Sequence, residues 1–529
     1  MVTNKPNLIR TILHRLHSPA TRTFSTMVLI AGSIVSKVFG IIRQFSMATI
    51  FGTSADTDSW LMASIVPNLL YGLLSQTLTN VVVPVLSGRV ETVDKSERTD
   101  IYINEVFTWA LVLSVVLAVI GEILSSHLIH WVAPGFTGAR YRLAVAMVRI
   151  MLPTMPFMAM GSLINGILQA NRIFTPSTIT PIIINVGRVA GIVVLGMWIG
   201  IRGVAYGFLI AQALQLVYLL PTLWAQHIHL RFRFRFSHPW TRQSGRLALP
   251  FIASHGANVG GIMVDRIFAS LLPVGRIAAL NYSNVLSTLP ITLLINPVIS
   301  PLYTQLSQSF NRDNRSAFRA SLQSGFELIT LIIMPLALAF IILRVPIIRI
   351  LYQHGRFNTH STNITAHLLM FWSIGLPAIA LGSLFSRALF AQRLTRVTAW
   401  ISIVGIIANV AGDFLFIHPL GASGLALATS LAAWCRAIGL GAWLFSRGEN
   451  RVSPRLKFLA AESAALALFV GILLLGVGQF RLALSPFGLL LVIKTVATVG
   501  IALAVYVGLL RWAGVMPSIR RRSGTASSS

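Results

Sequence analysis

Six ionisable residues stand inside otherwise apolar runs of this chain: Lys37, Arg43, Asp58, Asp265, Arg266 and Asp413. A charge at the centre of a membrane-crossing helix costs roughly 2.5–3.5 kcal/mol on insertion scales, so residues kept there have polar work to do within the bilayer. The cations suit an anion. Arg43 offers forked, permanently charged donors that match phosphate, and Lys37, six residues earlier, adds a second positive charge. Two other readings stay open: Lys37 snorkels to the interface, and Arg43 pairs with Asp58 to anchor the first two helices. A second group carries oxygen ligands: Asp265, Asn409, Asp413 and Thr429. The i, i+4 spacing puts Asn409 and Asp413 on one helix face, and oxygen donors of this kind suit a hard cation. The alternative is an interhelical hydrogen-bond cluster, with Asp265 paired to Arg266 or Arg188.

The elements that must carry these residues are long and apolar. Of 529 residues 55% are hydrophobic and 11% charged, with a mean hydropathy of +0.76, whereas a water-soluble globule carries about 25% charged residues. The apolar residues fall into about fourteen runs, each near the ~20 residues that an α-helix needs to cross a ~30 Å hydrocarbon core. The fold class is therefore all-α integral membrane. An excess of 42 Lys and Arg over 14 Asp and Glu would suit nucleic acid if the basic residues clustered on a soluble domain. Here they punctuate the gaps between apolar runs, which argues against a nucleic-acid partner. With Cys435 alone, neither an intrachain disulfide nor a cysteine-rich metal motif is possible. The first apolar run begins near Phe24 after a basic leader and leads into the others, so a cleaved secretory signal is not expected.

Orientation follows from the loops. Basic residues precede the first run (Lys5, Arg10, Arg15, Arg22) and recur in alternate gaps: Arg89, Lys95 and Arg98; Arg231, Arg233, Arg235, Arg242 and Arg246; Arg312, Arg315 and Arg319; Arg447, Arg451, Arg455 and Lys457. The positive-inside rule then places both termini in the cytoplasm. Arg231 to Phe236 alternates basic and aromatic residues; it reads as a surface segment on the inner leaflet, with a substrate-recruiting patch as the alternative. Arg520-Arg521-Arg522 and the Ser-rich end read as a disordered tail that touches anionic headgroups. There is also an internal echo. Gln169-Ala170-Asn171-Arg172 ends the fourth run and precedes Asn185; about 220 residues on, Ala391-Gln392-Arg393 ends the tenth and precedes Asn409, a parallel duplication of six spans. The predicted organisation is a cytoplasmic basic N-terminal segment (1–25), an N-lobe of six helices (26–225), a basic cytoplasmic linker (226–246), a C-lobe of six helices (247–446), two C-terminal helices (447–512) and a tail (513–529).

Short motifs then carry a resemblance. Gly40-Ile41-Ile42-Arg43, Ile50-Phe51-Gly52, Thr57-Asp58, Val66-Pro67-Asn68-Leu69-Leu70 and Val83-Pro84-Val85-Leu86 resemble the opening helices of the MurJ (MviN) lipid II flippases, of the multidrug/oligosaccharidyl-lipid/polysaccharide (MOP) exporter superfamily. Ala133-Pro134-Gly135-Phe136, Val264-Asp265-Arg266, Ala279-Leu280-Asn281-Tyr282 and Gln353-His354-Gly355-Arg356-Phe357 continue it, over roughly residues 26–480. The resemblance implies fourteen helices and a cavity between lobes, lined mainly by helices one, two, seven and eight. Through it a lipid-linked sugar pyrophosphate, lipid II or a related undecaprenyl-pyrophosphate glycan, would move from the cytoplasmic to the outer leaflet of a bacterial inner membrane by alternating access. It also implies that Asp265, Asn409, Asp413 and Thr429 form a sodium site, with Na+ as a possible coupling ion and no other cofactor, and a monomeric protein among membrane lipids.

The physics fits: desolvating the anionic headgroup is prohibitive, and cations in a cavity substitute for its water. The chain departs from the family at Gln44, where relatives are acidic, and at Asn284-Val285-Leu286 and Tyr71, where relatives carry arginine. Arg266 and Arg276 are candidates to compensate, which puts Lys37, Arg43, Asp58, Arg266 and Asn284 in the expected substrate-binding set. Otherwise the cargo is another polyprenyl-linked oligosaccharide, or the chain is a MOP-type drug/cation exporter. No Gly-x-x-x-x-Gly-Lys-Ser/Thr loop is present, so coupling falls to membrane potential or a cation rather than to its own ATPase. No catalytic residue is assigned; the histidines at span ends, His127, His130, His354 and His360, lack an adjacent acid, so an enzyme is not expected.

Overall fold

The computed structural model describes residues 22–87, 97–171, 173–226, 228–235, 238–446, 456–479, 482 and 488–515. The basic leader before Arg22, the loop basic residues Arg89, Lys95, Arg447, Arg451 and Arg455, the echo residue Arg172 and the Ser-rich tail lie outside the described residues. Helices follow one another as α1 Arg22–Phe51, α2 Ala55–Ser87, α3 Glu97–Ile123, α4 Ser125–Val132, α5 Gly138–Met151, α6 Thr154–Ala170, α7 Thr175–Ile199, α8 Ile201–Trp224 and α9 Pro239–Ser270. They continue as α10 Arg276–Asn311, α11 Arg315–Ile342, α12 Arg344–Tyr352, α13 Thr359–Ala391, α14 Thr395–Leu420, α15 Ala422–Ser446, α16 Leu456–Gln479 and α17 Leu489–Trp512. No strand occurs among the described residues.

Among the described residues eleven helices are long and apolar enough to cross a bilayer, or twelve when α5 and α6, bent by 42° at Leu152-Pro153, count as one span. The bend has a local cause, since Pro153 has no N–H to give and disfavours helix at the residue before it. The expected fourteen exceeds this by two. Helices α2 and α9, of 33 and 32 residues, are the remaining elements of crossing length.

Two compact units form. The first runs to Ala278 and takes in His354–Phe357. Its core joins Val82, Val85 and Leu86 of α2 with Tyr102, Ile103 and Val106 of α3, Leu163, Ile164 and Ile167 of α6, and Leu219 and Leu223 of α8. Helix α9 packs here against α2, α3 and α4, so by contact the division falls at Ala278 and not in the 226–246 linker. Residues 228–235 of the linker lie across α3: the Arg231 N–H donates to Asn104 Oδ1 (2.6 Å) and the Arg233 N–H to Thr108 Oγ1 (2.8 Å). Phe232 packs on Phe107, and the rings of Phe232 and Phe234 remain exposed.

The second unit contains the rest of α10, α11 to Gln353, and α13 to α17. One core lies among α10, α11, α13 and α15, and another joins Leu331 of α11 to Phe458, Phe469 and Leu473 of α16 and Tyr506 of α17. Helix starts are capped where the sequence supplies an amide: Asn314 Oδ1 accepts from the Ala317 N–H and Asn358 Oδ1 from the Ser361 N–H, both at 2.9 Å.

The internal echo is present as geometry, at an offset of 221 residues (389 less 168). The Ile173 N–H donates to Leu168 O and the Leu394 N–H to Leu389 O, both at 2.9 Å. Gly200 and Gly421 turn the chain with φ of 68° and 56°. A Cβ at Gly203 would strike Leu195 O, and one at Gly424 would strike Phe416 O. Likewise Gly191 meets Gly207 backbone to backbone, while Gly412 meets Ala428. Each unit thus closes a helix pair over a stripe of small residues, which lets backbones approach in a bilayer.

Candidate functional site

Arg43 occupies the last third of α1, half-buried. Seven residues separate it from Ser36, which sets both on one face, and Asn185 of α7 answers them. Asn185 Nδ2 donates to Ser36 O and Ser36 Oγ, each at 3.2 Å, and Asn185 Oδ1 accepts from an Arg43 terminal nitrogen at 3.4 Å. That last bond is long for a charged donor. Among the described residues Arg43 makes no ion pair. Gly40, between Ser36 and Arg43, opens on space: a Cβ there would meet nothing within 4 Å. Lys37 is half-buried too and stands about 9 Å along the axis and a third of a turn round from Arg43.

Asp58 is not Arg43's partner. It is fully buried at the start of α2, where Oδ2 accepts from the Gly275 N–H (2.6 Å) and from an Arg140 terminal nitrogen (3.2 Å), and Oδ1 from the Ala278 N–H (2.8 Å). It therefore satisfies first-turn N–H groups of α10 that have no intrahelical acceptor. Asp58, of the expected substrate-binding set, is thus engaged in holding the fold together. Four motifs meet at this knot. Thr57 Oγ1 donates to Gly52 O (3.0 Å), the Arg356 N–H to Thr49 O (2.9 Å), and the Gly135 N–H to Ser270 Oγ (3.2 Å). Gly52, Gly275 and Gly355 all have positive φ, and a Cβ on any of them would collide with a backbone carbonyl, of Arg356, Thr53 and Thr49 in turn. Only glycine fits there.

Asp265 and Arg266 lie half-buried on α9. Asn284 and Val285 on α10 and Gln44 on α1 are half-buried, as is Arg276 at the start of α10, while the Tyr71 side chain lies outside the described residues. In the second unit Asp413 is fully buried, and Asn409 Nδ2 donates to Asp413 Oδ2 at 3.2 Å. Thr429 Oγ1 gives its proton to Leu425 O (3.0 Å), so its lone pairs remain for a cation. Oxygen donors of these types are the ones a hard monovalent ion takes. No group of three or more His, Cys, Asp or Glu that could hold a metal occurs among the described residues.

The repeat register adds what matching residue types missed. An offset of 221 sets Asn409 over Arg188, and not over Asn185, and sets Thr429 over Phe208. In the first unit the Arg188 guanidinium lies 4.2 Å from the centre of the Phe208 ring, so one copy carries a fixed cation where the other carries oxygen donors. Arg436 was also missed. It sits on α15 between Gly382 and Gly405, its Nε buried without a hydrogen-bond partner. A single arginine in an apolar run has no spacing to announce it.

Known proteins share this fold. The family model for lipid II flippase MurJ matches residues 47–511. A probable lipid II flippase MurJ of Rickettsia prowazekii (strain Madrid E) is 23% identical over 490 residues, which covers 92% of this chain and 96% of the relative. A solved lipid II flippase MurJ in an inward closed conformation superposes with a TM-score of 0.75 at 22% identity, over 92% of this chain and 100% of that one. A multidrug resistance MATE family transporter of the MOP superfamily, inward-facing, gives a TM-score of 0.64 at 14% identity, over 79% and 96%. At such identities the two structures speak for the fold alone, while the family model spans most of the sequence. The chain belongs to the lipid II flippase MurJ family, a family of multi-pass membrane transporters and not of enzymes.

Proposed function

We propose that this protein carries lipid II, or the undecaprenyl-pyrophosphate glycan that defines it chemically, from the cytoplasmic to the outer leaflet of the bacterial inner membrane. One observation supports this most: a half-buried guanidinium on a membrane-crossing helix, held among the described residues by a neutral amide and flanked by the open face at Gly40. A cation so placed is costly unless it meets an anion, and a pyrophosphate supplies one. In this reading Arg43 contacts phosphate, Lys37 adds positive charge, and Arg266 and Asn284 complete the polar surface. The protein acts as a monomer by alternating access with both termini in the cytoplasm. The membrane potential returns the unloaded cationic carrier, since one charge moved through 100 mV is worth about 2.3 kcal/mol. Asp265, Asn409, Asp413 and Thr429 would hold Na+, whose charge offsets that of the buried carboxylates. Export of drugs has only the fold-level likeness at 14% identity in its favour.

The test is complementation of a strain depleted of its own lipid II flippase. The intact chain should restore growth, Arg43→Ala should fail despite normal insertion, and Arg43→Lys should restore it partly, since lysine keeps the charge without the fork. Growth with Arg43→Ala equal to that of the intact chain would remove Arg43 from the substrate path. Failure of the intact, inserted chain would remove lipid II as cargo.

A further inference from the structure

Helices α11, α16 and α17 of the second unit enclose two carboxyl groups that serve none of the sites above. Glu462 interrupts the apolar stripe of α16, Phe458, Ala465, Phe469 and Leu473, and is itself 4% exposed. That stripe packs on α11 and α17. On α11, Glu327 is 8% exposed, and its Oε1 accepts from Gln323 Nε2 at 3.0 Å. Glu327 lies near enough for its charge to act on Glu462, across the packed α11–α16 seam, and Tyr506 of α17 feels that of Glu462. The Tyr506 hydroxyl, however, donates to Leu331 O (3.2 Å), and Glu462 Oε1 is buried without any hydrogen-bond partner.

Among the described residues the cations of the surrounding helices stand elsewhere. Lys457 and Arg511 are exposed, Arg315 and Arg319 lie exposed at the start of α11, and Lys494 is twelve residues, about 18 Å, along α17 from Tyr506. On α12, which packs on α11 and α17, Arg344 donates to Ile341 O, and Arg349 to Gln353 Oε1 and Leu482 O. Two ionised carboxylates side by side in an apolar bundle repel one another with little screening. A single proton removes the repulsion and gives the pair a hydrogen bond of its own.

We propose that Glu327 and Glu462 form a proton-binding site, one acid and one carboxylate sharing a proton taken from water, which clamps α16 and α17 to α11. Release of that proton leaves two negative charges in the seam and loosens the last two helices from the rest of their unit.

Infrared spectra of the full chain in heavy water, compared with Glu462→Gln and Glu327→Gln, test this. The intact protein should keep a carboxylic-acid carbonyl band at neutral pH, and each variant should lose it. Its thermal midpoint in detergent should fall by several degrees from mildly acidic to mildly alkaline buffer, because the folded state holds a proton that the unfolded chain releases. Both variants, whose amide mimics the protonated acid, should be flat over the same range. The proposal is overturned by a neutral-pH spectrum without that band, or by a pH response shared equally by the intact chain and both variants. It is also overturned if sodium chloride in place of acid raises the midpoint of the intact chain alone, because the occupant is then a metal cation. If one variant does not fold, the intact spectrum and the other variant decide.

Discussion

An aspartate buried with an arginine and two backbone donors is worth most to the fold at the moment one partner is removed. Asp58→Ala would leave Arg140 unpaired and the N–H groups of Gly275 and Ala278 without an acceptor. Breaking such a pair costs about 3–5 kcal/mol. The expected outcome is a marked drop in the unfolding midpoint in detergent, with Asp58→Asn milder because one amide oxygen still accepts. An unchanged midpoint for Asp58→Ala would show the knot to be incidental. The sequence offered Arg43 as a partner for Asp58 on the neighbouring helix, and the partner in the structure lies 82 residues on. Tertiary ion pairs leave no local signature. Glycines do, and Gly52, Gly135 and Gly355 stood out inside short motifs before the structure showed their shared junction. The reason was invisible in one dimension, since each is excluded from being larger by a carbonyl from a distant segment.

At the scale of elements the duplication was legible and its register was not. The Gln-Ala-Asn-Arg and Ala-Gln-Arg echoes marked equivalent helix ends, but matching Asn185 to Asn409 by residue type missed by three residues. Backbone turns and the small-residue crossings set the register, and side chains then diverged: Arg188 over Phe208 in one copy, Asn409 with Asp413 in the other. Two predictions belong here. Gly207→Leu should force α7 from α8, since its Cα already faces Gly191 at backbone contact. Overpacking of this kind costs about 1–3 kcal/mol or more, and Ala428→Leu should do the same at the equivalent crossing; SDS unfolding of the purified variants measures both. If sodium occupies the second copy, its binding stabilises the folded state by RT ln(1 + [Na+]/Kd). Asp413→Asn should therefore abolish any rise of the thermal midpoint with sodium over potassium, and a sodium response equal to that of the intact chain would exclude Asp413 as a ligand.

For the whole molecule, hydropathy read the membrane and the helices correctly, because backbone satisfaction in lipid permits little else. It says less about how many passes there are. Helices α2 and α9 run the depth of a span by their contacts within the first unit. Thr241 near the start of α9 donates to Glu105 near the start of α3, while Ser270 at its end accepts from Gly135, beyond the far end of α3. Since α3 is long and apolar enough to cross, α9 has the length and the end contacts to cross beside it. The topology that follows, with basic gaps in the cytoplasm, can be tested by thiol labelling once Cys435 is replaced by serine. Cysteines at Thr137, Leu271 and His360, all exposed, should react with a membrane-impermeant maleimide in intact spheroplasts. Cysteines at Arg312 and Thr395, exposed as well, should react only after permeabilisation. Each position reports on the passes before it. If α9 did not cross, Leu271 would be silent and Arg312 would label from outside, and the Gly275 and Ala278 N–H groups could not reach Asp58, which lies one pass from the N-terminus.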